Sequence, residues 1–307
     1  MNYPQLFAEM NKTISVTVSS GMTARGAALE MERAGVTDSA GLLVDAMVAM
    51  GIDKTLRPGV YELKAGTPAH VAMQIKNTKP LSIRLTLIPG FSFSDTAALV
   101  GGKDALLKAL ANEGLFPEEL RVFLPAEARD RIIFLLPETY FLAHGGESAE
   151  QLVRRASGLW CERVGAVLPK SISRAELMKK GIIASIVEGE AKASNERPVL
   201  AGIFVKRLEL GMRLQSCATV VYSWELNGKK KRELSYDDLK IESKYNTYLH
   251  DGLPPGPVCV PSYDSWKSAL NPAETDYLFF FAGRDGRHIF SKTYKEHIHK
   301  QKTHSND

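Results

Sequence analysis

The apolar positions change period along the chain, and those changes mark its elements. Residues 14–18 (ISVTV) alternate as a short strand. A turn at 19–22 leads to Thr23, placed to cap a helix over 24–34. A second helix is expected over 40–50. Leu56, Arg57, Pro58 and Gly59 form a turn that feeds a strand at 60–63. Thr67 opens a third helix over 68–76, with Pro68 at the first helical position, where proline is tolerated. The order β-α-α-β-α fits a small α+β unit of about 65 residues, whose limited core would lean on a neighbour. Alternation resumes over 81–88 and ends at Pro89-Gly90.

From Ser92 the period becomes helical, with short helices over 94–100 and 103–113. Residues 134–140 (FLLPETY) read as extended or loop, because Pro137 biases Leu136 away from helix. A long helix covers 149–166. The next covers 174–190, with Ser173 as its cap and Glu176 at the third helical position. Pro198 starts a helix to residue 209, and Gly211 ends it. The C-terminal part reads as strand and turn: an apolar strand over 277–282, a hairpin turn at 283–286, a return strand over 288–290 and a polar frayed tail. The fold class is α+β. The 307 residues suggest about two domains, placed at 13–80 and 81–302.

Composition narrows the function classes. Hydrophobic residues make up 44% and charged residues 24%, as in ordinary globular chains, and the formal net charge of +4 selects no partner. No basic block with interleaved aromatics marks a nucleic-acid groove. Cys161, Cys217 and Cys259 form no CxxC pair, so neither a zinc site nor a disulfide framework is indicated. The histidines lack HExxH spacing and the serines lack a GxSxG setting, so no metal, no cofactor and no serine acyl transfer is expected. No stretch approaches the ~20 apolar residues of a membrane span. The opening MNYPQLFAEMNKTISVTV lacks the charge pattern and apolar core of a signal peptide. The chain is therefore expected to be either a soluble protein or a piece of a longer one.

The candidate chemistry gathers in GIIASIVEGEAKASNERPVLAGIFVKRLELGMRLQ, residues 181–215. Ile183, Ile186 and Val187 stand at helical spacing, and Glu190 continues their row. A glutamate there either surfaces at the helix end or sits in a partly apolar cleft as a usable general acid. Glu188, two residues away, points off that face. Gly189 weakens the helix by about 1 kcal/mol relative to alanine, which fits close approach of another element. Gln215 suits a hydroxyl or N-acetyl group, and Arg213 a carboxylate. Tyr245, Asn246, Thr247 and Tyr248 combine flat rings with polar tips, as a sugar-binding wall does, and Leu253, Pro254 and Pro255 form a rigid loop. Each of these also has a plain reading: solvated glutamates, a buried core strip, an unliganded surface loop.

IVEGEAKASNE, IFVKRLELGMRLQ, YNTY, GLPPGP, NPA and YLFFFA occur in an order that resembles the endolytic murein transglycosylase (YceG-like) family, over roughly residues 182–297. PETY at 137–140 is similar to that family's Pro-Asp-Thr-Tyr, which brings Tyr140 in as a substrate contact, and the N-terminal unit resembles a LysM-like domain. The resemblance implies cleavage of the β-1,4 bond between N-acetylmuramic acid and N-acetylglucosamine, leaving a 1,6-anhydromuramic end. It implies peptidoglycan strands as substrate, peptidoglycan synthases as partners, a membrane anchor this chain lacks, and action on the outer face of the cytoplasmic membrane. The catalytic glutamate falls on Glu190, with Glu196 and Gln215 in support. The chain departs from the family pattern at Ser216, Cys217 and Ala218, where Thr-Asp-Pro is usual. It departs also at Ile132-Ile133, where Glu-Gly is usual, at Pro89-Gly90, where Pro-Glu-Gly is usual, and at Val260, where Asn is usual.

Overall fold

The computed structural model describes residues 13–18, 22–143, 147–231 and 233–306, so most of the turn expected at 19–22 lies outside the described residues. The chain divides into two compact units, one of residues 1–86 and 139–152, the other of 87–138 and 153–307. The expected boundary at 80/81 thus lies ahead of the observed division, and a later segment returns to the first unit.

In unit one, β1 (Thr13–Val18) pairs antiparallel with β2 (Gly59–Lys64), Val16 facing Tyr61. Helices α1 (Ala24–Arg33), α2 (Ala40–Ala49) and α3 (Pro68–Asn77) are capped by Thr23, Ser39 and Thr67, whose side chains each accept a first-turn N–H. Met31, Leu43, Met47, Leu63 and Val71 are fully buried in a core that draws only on residues of this β-α-α-β-α segment. A second antiparallel pair joins β3 (Ser82–Thr86) to β4 (Thr139–Ala143), with Leu85 facing Tyr140. The second half of PETY, Thr139 and Tyr140, therefore begins a strand with a partner, while Pro137 and Glu138 stay extended loop. Pro137 precedes that strand, at a position where no ladder hydrogen bond is lost.

In unit two, α4 (Phe93–Leu99), α5 (Lys103–Ala111) and α6 (Glu118–Arg121) lead to a 3-10 stretch, Ala128–Phe134. Helix α7 (Ser148–Arg163) follows β4, and the division between units falls within it. Helix α8 (Arg174–Glu190) has the predicted bounds and the predicted Ser173 cap. It packs with α9 (Arg197–Glu209), α10 (Cys217–Leu226) and α11 (Tyr263–Leu270). Phe134, Trp160 and Trp266 form an aromatic cluster with ring centroids 5.0–6.4 Å apart.

Strands β5 (Phe279–Ala282) and β6 (His288–Ser291) form the predicted hairpin. The tail is not frayed. It is helix α12 (Tyr294–Asn306), held in part by Lys300 donating to the Phe290 carbonyl at 2.8 Å. The helices α10 and α11 lie in a region read from the sequence as turn material. In α10 apolar residues lie on every side and give no clear stripe, and tertiary packing decides the state of both short helices. Among the described residues no helix is long and apolar enough to cross a membrane.

Candidate active site

Helix α8 is largely exposed over its first two turns, buried without interruption from Gly181 to Val187, and emerges again in its last turn. All faces of the helix are covered there, so the directions of its two terminal glutamates are set by the partners each one meets. Glu190, the last helical residue, lines a cleft of about 820 Å³ within unit two. Its Oε1 accepts two hydrogen bonds, from Ser216 Oγ at 2.5 Å and from the Ala218 N–H at 3.0 Å. The Gly189 prediction finds its partner in the same place. A Cβ on Gly189 would lie 2.6 Å from Ala218 Cβ, so glycine is what allows α10 to approach. Gly189→Val should push the α10 N-terminus off Glu190 and lower turnover at least about tenfold. Full activity in a strand-cleavage assay would show that the Ala218 contact is dispensable.

The turn that presents Ser216 and Ala218 is held from behind by Thr247. The Ser216 N–H donates to Thr247 Oγ1 at 3.0 Å, and Gln215 N–H donates to the Thr247 carbonyl at 3.1 Å. Thr247 and Thr219 hydroxyls lie 2.8 Å apart, and Thr219 donates onward to the Ser216 carbonyl. Gln215 is the non-glycine residue with positive φ (49°) among the described residues, a conformation that costs energy and is retained where geometry demands it. Its exposed side chain lines the cleft.

Glu188 is not solvated. Its side chain is 6% exposed and takes four donors: Arg197 Nη2 at 3.2 Å, Ser262 N–H at 2.9 Å, Ser265 Oγ at 2.7 Å, and Ser262 Oγ. It ties α8 to the starts of α9 and α11. Glu196 is also buried and clasps one residue. Its Oε1 accepts the His288 backbone N–H at 2.9 Å, and its Oε2 faces His288 Nδ1 at 2.7 Å.

The remaining sequence candidates divide. Tyr248 lines the cleft, and its hydroxyl lies 3.4 Å from Cys217 Sγ. Burial, then the neighbouring Cys217, pushes its phenol well above the ordinary range. Asn246 is fully buried, donating to the Leu239 and Ile241 carbonyls and accepting from Tyr248 N–H. It shapes the loop and presents nothing to a ligand. Tyr245 packs its ring on Tyr222 at 4.9 Å, and Arg213 pairs with Asp251 at 2.8 Å and the Tyr248 carbonyl at 3.1 Å. Neither is among the cleft-lining residues. Leu253, Pro254 and Pro255 also lie off the lining, with Pro254 buried. Their loop instead delivers Val258 and Cys259, which line the cleft and bond to Ser185 of α8 through Oγ and the carbonyl. Tyr140 is a buried residue of β4 in unit one and is not among the lining residues.

Several cleft residues carried no legible signal in the sequence. Ala218, Val221, Tyr222 and Glu225 line the cleft at i, i+3, i+4 and i+7 of α10, a helix the sequence reading missed. The hairpin and α12 add Phe279, Phe280, Phe281, His288, Tyr294 and His297. His297 does not belong to a frayed tail, as the sequence suggests, but sits in α12 against Phe279 and Phe281. Burial, then the Arg207 charge, lowers the His297 pKa, which favours its neutral imidazole. Among the described residues no group of His, Cys, Asp or Glu is placed to hold a metal.

Cys217 offers a chemical readout of Glu190. Burial, then the Glu190 charge, raises the thiol pKa, which slows alkylation. Cys161 is raised to about 12 and Cys259 is fully buried, leaving Cys217 as the exposed thiol. Glu190→Gln should therefore speed alkylation of Cys217 at pH 8 severalfold, read by peptide mass spectrometry. An unchanged rate would contradict electrostatic coupling between Glu190 and that thiol.

The profile of the YceG-like family matches residues 16–303. The chain belongs to the YceG-like family. A protein of Bacillus subtilis named endolytic murein transglycosylase is 29% identical to this YceG-like chain over 258 residues, covering 78% of the chain and 70% of that protein. One of the same name from Streptococcus pneumoniae is 25% identical over 336 aligned positions, covering 97% of the chain and 60% of that protein. The chain thus spans about two thirds of the length of these relatives. A crystal structure of a YceG-like protein of Listeria monocytogenes superposes with a TM-score of 0.58 at 26% identity, covering 94% of the chain and 99% of that structure.

Proposed function

We propose that this chain is an endolytic lytic transglycosylase of peptidoglycan, with Glu190 as both acid and base. The observation that carries the reading is the asymmetry of the Glu190 carboxyl. Oε1 takes both protein donors, so the transferable proton belongs on Oε2, which makes no hydrogen bond among the described residues. The activity printed in the relatives' names supports the substrate class.

In this mechanism Glu190 protonates the glycosidic oxygen as the bond from the muramic C1 breaks. The same carboxylate, still oriented by Ser216 and Ala218, then takes the proton of the C6 hydroxyl as that oxygen closes on C1. Nucleophile and electrophile share one ring, so the closure is intramolecular and no water is consumed. The product is a 1,6-anhydromuramic end. Ordinary glycosidases need a second carboxylate to activate water or form a covalent intermediate. Gln215 and Tyr248 contact the strand, Thr247 positions Ser216, and Arg213 and Asn246 shape the loop bearing Tyr248. Endolytic action is tested by following strand length. Internal cuts lower the mean length before small fragments accumulate, whereas early release of disaccharide units would mean exolytic action.

The enzyme acts outside the cytoplasmic membrane beside the synthases and limits nascent strand length. Residues 13–80 serve as a LysM-like positioning module, a reading supported by the self-contained core of that segment. A weak glycan contact tethered to the catalytic unit raises local substrate concentration. Removing the module should lower cleavage of long strands more than of short oligomers. Equal loss on both, with the circular dichroism of the remainder intact, would favour a spacer.

A further inference from the structure

The cleft holds a second polar group that the Glu190 mechanism does not use. His288 opens β6 and lines the cleft, with its side chain only 4% exposed. Glu196 holds it at two points, backbone N–H and ring Nδ1, at 2.9 and 2.7 Å. A histidine clasped in this way cannot swing. A carboxylate facing Nδ1 accepts, which puts the ring proton there and leaves the Nε2 lone pair as an acceptor. Nε2 makes no hydrogen bond among the described residues, and it is not among the buried orphan atoms. It is the edge by which this ring meets the cleft.

The surroundings decide which donor that acceptor suits. The ring stands edge-on to Phe280 at 5.2 Å and near Phe290 at 6.2 Å. Phe280 lines the same cleft, whereas Phe281 and Tyr294 line it from the opposite face of the hairpin, against α12. A lone, rigid acceptor set among aromatic rings matches a donor with an apolar group attached. A sugar hydroxyl brings no methyl of its own. An acetamido group has both parts: an N–H for Nε2 and a methyl for the rings.

We propose that His288 is a substrate-contacting residue that binds the acetamido N–H of an amino sugar in the strand, with Glu196 as its positioning residue. The proposal rests on the peptidoglycan reading above and adds what that reading leaves unassigned, the feature of the glycan recognised at the hairpin wall. Glu196 then supports the reaction through His288 and does not touch the reacting atoms.

The test uses the full chain carrying Glu190→Gln, so that ligand is bound and not cut. The probes are a tetrasaccharide of alternating N-acetylglucosamine and N-acetylmuramic acid and the same tetrasaccharide with its amides N-methylated, which keeps the acetyl groups and removes the N–H. Calorimetry should show about tenfold weaker binding on methylation. Adding His288→Asn, whose side-chain amide still donates to Glu196 but lacks Nε2, should shrink that penalty to about twofold or less. The same penalty in both backgrounds, or none in either, overturns the proposal. If His288→Asn does not fold, ring ¹⁵N spectra of the Glu190→Gln chain decide. The Nε2 resonance of His288 should move upfield with the N–H ligand and stay in place with the methylated one. Cleavage of strands by the wild-type chain without any N–H dependence would refute this inference alone, whereas no cleavage at all would refute the transglycosylase reading.

Discussion

Glu190→Gln should reduce strand cleavage by about 10²–10⁴-fold, toward the upper end because one residue serves two proton transfers. The amide retains the shape of the carboxyl and can still accept at the Oε1 position from Ser216 Oγ and the Ala218 N–H. It cannot give and retake a proton. The fold should be unchanged by circular dichroism, and glycan binding should survive. Activity within a few-fold of wild type would move the chemistry to another residue.

The neighbouring glutamate should behave in the opposite way. Glu188→Ala leaves the Arg197 guanidinium, 13% exposed, without its carboxylate and strips acceptors from Ser262 and Ser265. Breaking a buried pair strands an uncompensated charge, so unit two should lose about 3 kcal/mol against denaturant. Because Ser262 caps α11 and Arg197 opens α9, the loss falls on the packing that supports α8. A shift of less than about 1 kcal/mol in urea unfolding would mean that the cluster is replaced by water. Two carboxylates two residues apart thus meet different partners: Glu190 faces the cleft beside Ser216 and Ala218, and Glu188 binds the starts of α9 and α11.

Much of this architecture was legible in the sequence wherever a period and a cap agreed. Ser173 and the apolar row through Val187 gave helix α8 its bounds, and that register put Glu190 on the cleft. Thr23, Thr67 and Pro68 did the same for the small N-terminal helices. The rest depends on contacts between distant segments. Nothing local in Asn246 or Thr247 says that both side chains turn inward to hold loops, because an amide or hydroxyl suits a ligand and a buried carbonyl equally. The Leu253–Pro255 loop looked like a cleft wall, yet its contribution comes from Val258 and Cys259 just beyond it. Glu196 and His288 are 92 positions apart, and neither is exceptional until the hairpin brings them together.

The most direct test of the central claim is the chemistry of the new chain end. Purified glycan strands incubated with the chain in ¹⁸O-labelled water, then resolved by mass spectrometry, should yield muropeptides with 1,6-anhydro ends. These are one water lighter than reducing ends and carry no label, and they should be missing from the Glu190→Gln reaction. Reducing ends that incorporate ¹⁸O would contradict the account, because they require an activated water in place of the muramic C6 hydroxyl.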